Sequence, residues 1–456
     1  MISQPFDIKL GVIGLGYVGL PSAAGFAELG FSVIATDSNR ERLETLHKGR
    51  SPLSEPGLQE LLDKHASSGR LRFSDDIATV VREATILFIC VGTPQAPDGQ
   101  ADLSQVEAVV KDIAPHLVDY RIIVERSTVP VTTAAWIKQT LALHTNGASE
   151  FDVVNNPEFL REGSAVSDFL NPSRIVLGVE SKRAWDMLKG VYDVFHRPIV
   201  STDLNSAEII KYASNAFLAT RISFINMISD LCEATGADIT QVAEAMGLDP
   251  RIGPDYLDAG LGYGGSCLPK DVTALIHVAN QRGVDFGLLE SVNVVNESRS
   301  EGLVNRTRRA LGSLEGKQIG VLGLSFKPGT DDIRDSPSLK AVEELSRTGA
   351  VLRLHDPAAL ERARKRTPHV PGRLEYFDNP YDVAEGSQAL LLLTSWPQYR
   401  ALDFERMRDL MTTPIIVDSR NFLDGEALHD LGFDYIPVGR PGPEAIARTR
   451  SRMLSQ

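Results

Sequence analysis

Short apolar runs and amphipathic stretches alternate through the N-terminal part of the chain. The apolar runs lack a polar face, and turn residues follow them, so they predict buried parallel strands connected by helices. The predicted strands are Lys9–Ile13, Phe31–Thr36, Ile86–Val91, Arg121–Glu125 and Phe151–Val154, and the first predicted helix is Leu20–Leu29. This alternation indicates a doubly wound α/β sheet.

The hydrophobic pattern changes its period in the middle of the chain. From Asn205 to Thr235, apolar residues recur at helical spacing with few breakers, which predicts one long helix. A shorter helical pattern covers Thr240–Met246, and a further helix is expected to begin at Asp271, whose carboxylate suits a first helical turn. We therefore expect a helical region between two sheets, bridged by the long helix.

The β-α-β pattern returns near Lys317. Strands are predicted within QIGVLGLSF and at Val351–His355, Ala389–Leu393 and Ile415–Asp418, with a helix from Ser338. This part lacks a complete GxGxxG, so no second dinucleotide site is predicted. The expected fold is α/β, with two doubly wound Rossmann-like domains joined by a long central helix and a helical dimerisation region. The expected domains are 1–203, 204–300 and 301–456.

The composition narrows the functional classes. With 456 residues, 43% of them hydrophobic, the chain can form two or three domains with separate cores. A net charge of -13 and the lack of a Lys/Arg-rich run argue against a nucleic-acid binder. Three cysteines fit a reducing compartment. The glycine-interrupted N-terminus predicts neither a signal peptide nor a membrane span, so a cytoplasmic protein is expected, without a membrane partner or a metal site.

A glycine turn, GLGYVG, links the first predicted strand to the first helix. Flanking strands and an acidic residue at the end of the second strand make this dinucleotide fingerprint specific. Asp37 would bind ribose hydroxyls and repel a 2′-phosphate, so NAD is expected; the nearby Arg40, more simply an exposed helix-start residue, leaves NADP open. The expected cofactor contacts are Gly14, Gly16, Tyr17, Val18, Gly19 and Asp37.

Polar residues follow the later strands of this sheet. Because ligands bind beyond the carboxyl ends of such strands, Thr93 and Thr128 are candidates for contacts with cofactor or water. Ordinary strand-ending turns would use the same residues, so that alternative stays open. Glu158 and Glu162, four residues apart after another strand, could serve as a base and an orienting group.

One cysteine lies in a glycine-rich loop, GLGYGGSCLPKD. Cys90 and Cys232 lie within apolar strand and helix patterns and are expected in the core, whereas Cys267 is placed for chemistry. Lys270 would favour its nucleophilic thiolate form. A buried, unreactive loop thiol is the alternative.

Two polar residues of the long predicted helix, Lys211 and Asn215, are one turn apart and therefore project from one face. Their neighbours are apolar, which argues against a merely solvated face, although that alternative remains. An ammonium and an amide placed in this way could stabilise a tetrahedral oxyanion.

Together these motifs resemble the UDP-glucose/GDP-mannose dehydrogenase family of nucleotide-sugar 6-dehydrogenases. The resemblance runs from GVIGLGYVGLP through NPEFLREG, KYASNAFLA and GYGGSCLPKDV to FKPGTDDIRDSPSL. It implies that two NAD molecules in turn oxidise the primary alcohol of a nucleotide sugar to a carboxylate. It also implies a homodimer or higher homo-oligomer whose N-terminal domain binds NAD, whose centre dimerises, and whose C-terminal domain binds the UDP moiety.

The resemblance also implies individual roles. Cys267 matches the nucleophile, and Lys211 and Asn215 match the oxyanion donors. The remaining catalytic matches are Asp271 with Thr128 for holding water and Glu158 for thioester hydrolysis. Further cofactor contacts would be Thr93, Thr128, Glu162, Lys270 and Arg334, with Glu162 near the nicotinamide. The substrate contacts would be Glu158, Phe159, Leu160, Lys211, Asn215, Arg251, Tyr256, Gly264, Phe326, Lys327 and Arg420, with Arg251 reaching a neighbouring subunit's site.

Three departures from the family pattern keep the substrate open: Leu268 where an aromatic residue is frequent, Thr132 where glycine is frequent, and His355 where tyrosine is common. UDP-glucose is expected, and TDP-glucose or GDP-mannose are the alternatives. A two-electron dehydrogenase of the 6-phosphogluconate or hydroxyacid type is a second possibility, but it would need no Cys267. A non-catalytic NAD or nucleotide-sugar binder is a third, and it would not need the reactive groups together.

Overall fold

The computed structural model describes residues 8–145, 149–367 and 370–441. The chain divides into two compact units, each with its own sheet. The first unit comprises Met1–Ser214 with Thr273–Val284, and the second comprises Asn215–Val272 with Asp285–Gln456.

Eight strands form the sheet of the first unit. They are β1 (Lys9–Ile13), β2 (Ser32–Thr36), β3 (Leu71–Phe73), β4 (Ile86–Ile89), β5 (Arg121–Glu125), β6 (Phe151–Asn155), β7 (Ile175–Gly178) and β8 (Ile199–Thr202). Their order is β3-β2-β1-β4-β5-β6-β7-β8, and every neighbouring pair is parallel except the antiparallel β6 and β7. The strand order reverses between β1 and β4, where a doubly wound sheet binds its ligand.

Helices cover both faces of this sheet. They are α1 (Gly19–Glu28), α2 (Arg40–His47), α3 (Leu58–Ser68), α4 (Ile77–Glu83), α5 (Ser104–Ile113), α6 (Thr133–His144), α7 (Ala165–Leu170) and α8 (Lys182–Tyr192). Val12 and Phe88 point into one apolar core with Phe26, whereas Ile13 and Ile89 point into the core on the other face. Since both faces are buried, the strands are continuously hydrophobic.

Four helices follow: α9 (Leu204–Thr235), α10 (Ile239–Gly247), α11 (Leu268–Gln281) and α12 (Gly287–Leu311). The long central helix is confirmed as α9, and the division between the units falls within it, after Ser214. The predicted start of α11 at Asp271 is wrong, because the helix begins at Leu268. Its second residue is Pro269, whose fixed φ suits a first turn, and Asp271 lies in that turn as expected.

Six strands form the sheet of the second unit, which is parallel throughout. They are β9 (Gln318–Leu322), β10 (Val351–His355), β11 (Arg373–Tyr376), β12 (Ala389–Leu392), β13 (Ile415–Asp418) and β14 (Asp434–Pro437), in the order β11-β10-β9-β12-β13-β14. The connecting helices are α13 (Pro337–Ser346), α14 (Leu360–Arg366), α15 (Pro380–Ala384), α16 (Pro397–Arg400), α17 (Phe404–Leu410) and α18 (Gly425–Asp430). The predicted α/β fold with two Rossmann-like domains is confirmed.

The turn after β9 repeats the geometry of the turn after β1. Gly323 has φ +102°, and its N–H donates to the His355 carbonyl at 2.8 Å. Gly14 has φ +94°, and its N–H donates to the Thr36 carbonyl at 2.9 Å. The carboxylate that follows the second strand is used differently, however. Asp356 Oδ2 accepts from the backbone N–H of Leu324, from Ser325 and from the Trp396 indole. Asp356 is thus fully occupied by the protein itself.

Thr132, where the family pattern favours glycine, has a left-handed backbone with φ +81° at the N-cap of α6. A β-branched residue is strained in this conformation, whereas glycine is not. We expect Thr132→Gly to increase the free energy of unfolding by about 1 kcal/mol, measured by urea denaturation. Thr133→Gly is the matched control, since Thr133 is helical and donates to the Pro130 carbonyl, and it should be destabilising. A destabilised Thr132→Gly variant would contradict the strain argument.

Candidate active site

The glycine turn after β1 has the geometry that a bound pyrophosphate needs. A Cβ on Gly14 would lie 2.8 Å from the Cys90 carbonyl oxygen, and one on Gly19 would lie 1.8 Å from the Gly14 oxygen, so both positions exclude a side chain. At Gly16, by contrast, no atom lies within 4 Å of such a Cβ. The α1 N-cap, Val18, provides no side-chain cap, and the first turn holds no acidic residue. This helix end therefore fits an anionic cofactor phosphate.

Asp37 follows β2 and is tied to the glycine turn. Its Oδ2 accepts from Leu15 N at 2.6 Å and from Arg42 Nη1 at 2.7 Å, and its Oδ1 accepts from Asn39 N. The arginine paired with Asp37 is therefore Arg42, whereas Arg40 is exposed at the start of α2. Sequence reasoning considered the wrong arginine, because position within the helix decides which side chain turns back toward β2.

Asp37→Ser should change the cofactor preference. The variant keeps a short side chain but removes the charge that repels a 2′-phosphate, and it frees Arg42 to pair with that phosphate. We expect kcat/KM with NAD to fall about tenfold or more and the NADP/NAD ratio to rise, measured by initial rates with each cofactor. Arg40→Ser is the control and should leave the ratio unchanged. A ratio unaltered by Asp37→Ser would show that Asp37 does not face the ribose.

Thr93 and Thr128 are brought together beyond β4 and β5. The Thr93 hydroxyl donates to the Thr128 carbonyl oxygen at 2.7 Å, and Thr93 is buried. This bond holds the two turns at the carboxyl edge of the sheet, and Thr128 remains half-buried there.

Glu158 and Lys211 form an ion pair within the first unit. Lys211 Nζ lies 3.0 Å from Glu158 Oε1, and both side chains are about 5% exposed or less. Burial by itself would raise the pKa of the Glu158 carboxyl, but Lys211 and the Leu160 N–H, which donates to Oε2 at 2.5 Å, hold that pKa below its usual value. Glu158 is thus an ionised, buried carboxylate.

The segment around Glu158 is fixed by contacts that the sequence did not indicate. The Phe159 ring lies near two cations, with Arg174 Cζ 3.5 Å and Lys211 Nζ 5.5 Å from its centroid. Buried Glu55 accepts from the N–H groups of Gly163 and Ala165, both at 2.7 Å. Glu55 was missed because an isolated glutamate before Pro-Gly resembles a surface residue. Leu160 and Glu162 are half-buried beside this anchor.

In the second unit, close backbone packing fixes the cysteine loop. A Cβ on Gly264 would lie 2.3 Å from the Asp335 carbonyl oxygen, and one on Gly265 would lie 2.7 Å from the Phe326 ring. Gly265 N donates to the Arg334 carbonyl at 2.9 Å. The glycines therefore let the loop pack directly on the segment after β9, and Phe326 lies beneath it.

Cys267 ends this loop immediately before α11. It is half-buried, whereas Cys90 and Cys232 are buried as the sequence predicts. Its Sγ lies 3.5 Å from the Ser266 hydroxyl, and its carbonyl accepts the Asp271 N–H at 2.9 Å. The thiol thus lies at a helix N-terminus, where an anionic sulfur is favoured.

Asn215, Asp271 and Lys270 form one polar cluster. Asn215 Nδ2 donates to Asp271 Oδ2 at 2.6 Å, and Lys270 Nζ lies 2.6 Å from Asp271 Oδ1. Asp271 is fully buried, and the hydrogen bonds from Asn215 and Lys270 to its two carboxyl oxygens offset the loss of water there. The Lys270 ammonium therefore forms an ion pair with Asp271.

Basic residues lie near the glycine-rich loop that ends at Cys267. Arg420 Nε donates to the Leu393 carbonyl at 2.8 Å, while its Nη2 is buried and has no hydrogen-bond partner in the described part of the chain. Burial lowers the pKa of the Arg420 guanidinium to about 10, so it stays charged at neutral pH. Lys327 Nζ lies 5.5 Å from the Phe326 ring centroid, and Arg334 makes a bidentate pair with Asp332. An acceptor would complete the bonding of Arg420.

Three non-glycine residues of the second unit have a left-handed backbone conformation. Tyr256, Asp335 and Asn421 have φ values of +62°, +45° and +50°, and the last two directly follow Arg334 and Arg420. Such conformations persist where the surrounding structure enforces them, which is common at ligand sites. Arg251 has a different environment, since its side chain is 87% exposed and pairs with Asp249.

The predicted residues thus form two groups. In the first unit lie the glycine turn, Asp37, Thr93, Thr128, Glu158 and Lys211; in the second lie Asn215, Asp271, Lys270, Cys267, Phe326, Lys327, Arg334 and Arg420. Family models match both units. The NAD binding domain, central domain and UDP binding domain of the UDP-glucose/GDP-mannose dehydrogenase family match residues 8–196, 205–298 and 320–425.

The chain belongs to the UDP-glucose/GDP-mannose dehydrogenase family. It is 42% identical over 433 residues to a UDP-glucose 6-dehydrogenase of Bacillus subtilis, covering 95% of this chain and 93% of that protein. It is 43% identical over 441 residues to a UDP-glucose 6-dehydrogenase of Rhizobium meliloti, covering 95% and 100%. Among solved structures, a UDP-glucose dehydrogenase from Pyrobaculum islandicum matches with a TM-score of 0.89 at 38% identity, covering 97% of this chain and 100% of that one.

Membership in this dehydrogenase family establishes an NAD-dependent oxidoreductase with an NAD-binding and a UDP-binding domain. The predicted cofactor class and enzyme class are therefore confirmed. Within the described ranges, no helix is long and apolar enough to cross a membrane.

Proposed function

We propose that this enzyme oxidises the C6 alcohol of UDP-glucose to the carboxylate of UDP-glucuronate, consuming two NAD and one water. The relatives named UDP-glucose 6-dehydrogenase at 42% and 43% identity support this substrate. The observation that carries the proposal is the half-buried Cys267 thiol on a rigid glycine loop. A four-electron oxidation through a thioester requires such a nucleophile, whereas a two-electron alcohol oxidation does not.

The first two chemical steps use Cys267 and its oxyanion donors. The C6 hydroxyl gives up a proton and the carbon gives up a hydride, which leaves an aldehyde. The Cys267 thiolate adds to the aldehyde carbon, and the oxygen takes up a proton to complete a thiohemiacetal. We assign Lys211 and Asn215 to this oxygen, because an ammonium and an amide stabilise the charge that develops on it.

Hydrolysis completes the reaction. Loss of the second hydride and of the hydroxyl proton converts the thiohemiacetal into a thioester. Water then attacks the carbonyl carbon, the C–S bond breaks, and the thiolate returns as the carboxylate product forms. We assign Glu158 as the base, since it is ionised, and Asp271 with Thr128 as the residues that hold the water.

The residues of the first unit fit NAD. We propose that the open backbone at Gly16, flanked by Tyr17 and Val18, binds the pyrophosphate, and that Asp37 binds the adenosine ribose. NAD bound there supplies the hydride acceptor for both oxidations. The remaining cofactor contacts that we assign are Thr93, Thr128, Glu162, Lys270 and Arg334.

The substrate diphosphate is assigned to the basic residues of the second unit. The Nη2 donor of Arg420, buried and without a protein partner in the described ranges, supports an acceptor there, and Lys327 adds a second positive charge. Phe326, Tyr256 and Gly264 would shape the surrounding pocket. Phe159 and Leu160 are assigned to the sugar, on the family pattern.

We also propose a cytoplasmic homodimer formed through α9. Phe217, Phe224, Met227 and Leu231 are 48–62% exposed and recur at helical spacing, so they make an apolar stripe without a partner among the described residues. A second copy would cover it in a two-fold interface. The exposed Arg251 would then reach the partner's site. We expect analytical ultracentrifugation to give a molecular mass of twice 49.7 kDa. A monomer mass at micromolar protein concentration would contradict the dimer.

The substrate is tested with purified enzyme, excess NAD and one nucleotide sugar at a time. We expect kcat/KM for UDP-glucose to exceed the values for TDP-glucose and GDP-mannose by about tenfold or more, with UDP-glucuronate identified by mass spectrometry. A faster reaction with TDP-glucose or GDP-mannose would replace the substrate but keep the chemistry. Turnover of 6-phosphogluconate or a hydroxyacid instead, or NAD binding without turnover of any substrate, would overturn the proposed function.

A further inference from the structure

Two residues paired at the end of the first sheet each hold a buried polar atom without a hydrogen-bond partner in the described part of the chain. Glu125 is 0% exposed, and its Oε2 has no hydrogen-bond partner in the described residues. Asn155 is 1% exposed, and its Oδ1 likewise has none. The two residues are paired directly across the parallel strands β5 and β6, so their side chains project from the same face. Two adjacent buried acceptors are unfavourable unless a proton lies between them.

The other carboxyl oxygen of Glu125 has a defined task. Glu125 Oε1 accepts the Ser127 N–H at 2.7 Å. The carbonyl oxygen of the next residue, Thr128, accepts a hydrogen bond from the Thr93 hydroxyl. Glu125 therefore fixes the turn that carries Thr128 to the carboxyl edge of the sheet.

We propose that Glu125 is a neutral carboxylic acid whose Oε2–H donates to Asn155 Oδ1, and that this acid is a positioning residue for the Ser127–Thr128 turn. The inference rests on the proposed function only for the role of Thr128. It explains both partnerless atoms with a single proton and needs no added ligand. The rival arrangement is an ionised Glu125 that accepts from the Asn155 amide.

The surrounding charges favour the neutral acid. Arg126 donates to Ser22 and Asn156, and Lys211 pairs with Glu158, whereas Glu125 Oε2 has no hydrogen-bond partner among the described residues. Burial raises the pKa of the Glu125 carboxyl to about 8, although hydrogen bonds from Ser127 lower it in part, and Glu208 contributes a like charge.

Two other titratable groups lie nearby. Burial raises the pKa of Glu208, on α9, to about 7, although it accepts from Thr132 N and Ala134 N. Burial raises the pKa of the Cys90 thiol to about 12, so it stays neutral. Neither group supplies a positive charge that would stabilise an ionised Glu125.

The sign of the pH effect follows from this arrangement. The folded protein keeps the Glu125 proton up to about pH 8, whereas the unfolded chain releases it near the ordinary glutamate pKa of 4.5. The contribution of Glu125 to stability therefore falls as pH rises from 4.5 to 8 and is constant above that range. Deprotonation also places two acceptors against each other, which should displace Thr128.

Glu125→Gln is the decisive variant, because its amide can donate to Asn155 while its oxygen accepts from Ser127 at every pH. Infrared difference spectra of the wild type between pH 6 and pH 9 should show two protonated-carboxyl bands that shift with ¹³C-labelled glutamate, one from Glu125 and one from Glu208. One band should vanish in Glu125→Gln, and the other should vanish in Glu208→Gln, which removes the second buried carboxyl.

Denaturation and kinetics give independent readouts. The urea midpoint of the wild type, relative to Glu125→Gln, should fall between pH 5 and pH 8. The kcat/KM of the wild type for NAD, divided by that of Glu125→Gln, should fall about tenfold between pH 6 and pH 9. Only about a tenth of Glu125 stays protonated one pH unit above its pKa.

If Glu125→Gln loses no band, or if Glu208→Gln shows no band that shifts with labelled glutamate, the rival ionised arrangement is established and the proposal is overturned. Parallel pH profiles of the urea midpoints would overturn it as well. The Glu208→Gln spectrum decides the question even where Glu125→Gln does not fold. Because it needs no turnover, it also separates this proposal from the proposed function.

Discussion

Replacing Cys267 with alanine is expected to lower uronic-acid formation by at least about a thousandfold, because the nucleophile of the covalent route is lost. Cys267 is half-buried and its loop is held by Gly264 and Gly265 against the segment after β9, so the substitution should leave the fold intact. NAD and UDP-glucose should still bind, which isothermal titration calorimetry would measure. Product is best followed by mass spectrometry, so that an accumulated aldehyde is distinguished from the acid.

Cys232→Ala provides the matched control. Cys232 is a buried residue of α9 and packs with Ile225 and Ile239, so its loss should reduce stability modestly but not the rate per folded molecule. If Cys267→Ala still forms the uronic acid at a normal rate, the covalent mechanism is wrong and the thiol is a packing residue.

Replacing Lys211 with methionine should produce the second large effect. Lys211 Nζ is 3.0 Å from Glu158 Oε1 in a buried pair, and the proposed mechanism also uses the ammonium to stabilise the tetrahedral oxygen. We expect kcat to fall by about 10²–10³ and the free energy of unfolding to fall by about 3–5 kcal/mol, since buried Glu158 would lose its hydrogen-bonded counter-charge. Urea denaturation and initial rates measure the two effects.

The double variant Lys211→Met with Glu158→Gln separates stability from catalysis. Removing both charges relieves the buried unpaired carboxylate, so most of the lost stability should return, while activity should stay low because the oxyanion donor and the base are both absent. Recovery of activity together with stability would show that Lys211 acts only through the ion pair. Lys182→Met, which removes an exposed lysine paired with Asp186, should change neither property measurably.

Most strands that the sequence predicted are largely buried, although the fully buried β7 was missed. β1, β5, β10 and β13 begin and end at the predicted residues, because continuous apolar runs bounded by turn residues carry a strong local signal. The edge strand β3 was missed, since Leu71–Phe73 has three residues and includes Arg72. The half-exposed β8 was missed as well. These short strands gain their stability from a neighbouring strand, and a single segment does not reveal that partner.

The candidate site was predictable where chemistry depends on residues close in sequence. The glycine turn Gly14–Gly19 and the Cys267 loop are local motifs whose residue types fit their geometry. Long-range pairs were not predictable, since Asn215 meets Asp271 across 56 positions and Glu55 meets Gly163 across 108. Glu125 was missed because a carboxyl at the end of an apolar strand gives no sequence signal of its missing counter-charge.

The most direct measurement of the central claim is the amount of NADH released per UDP-glucose consumed, with the sugar limiting and NAD in excess. The four-electron route through Cys267 predicts two NADH for each sugar and UDP-glucuronate as the product. One NADH per sugar, with an aldehyde or ketone as the product, would contradict the thioester mechanism.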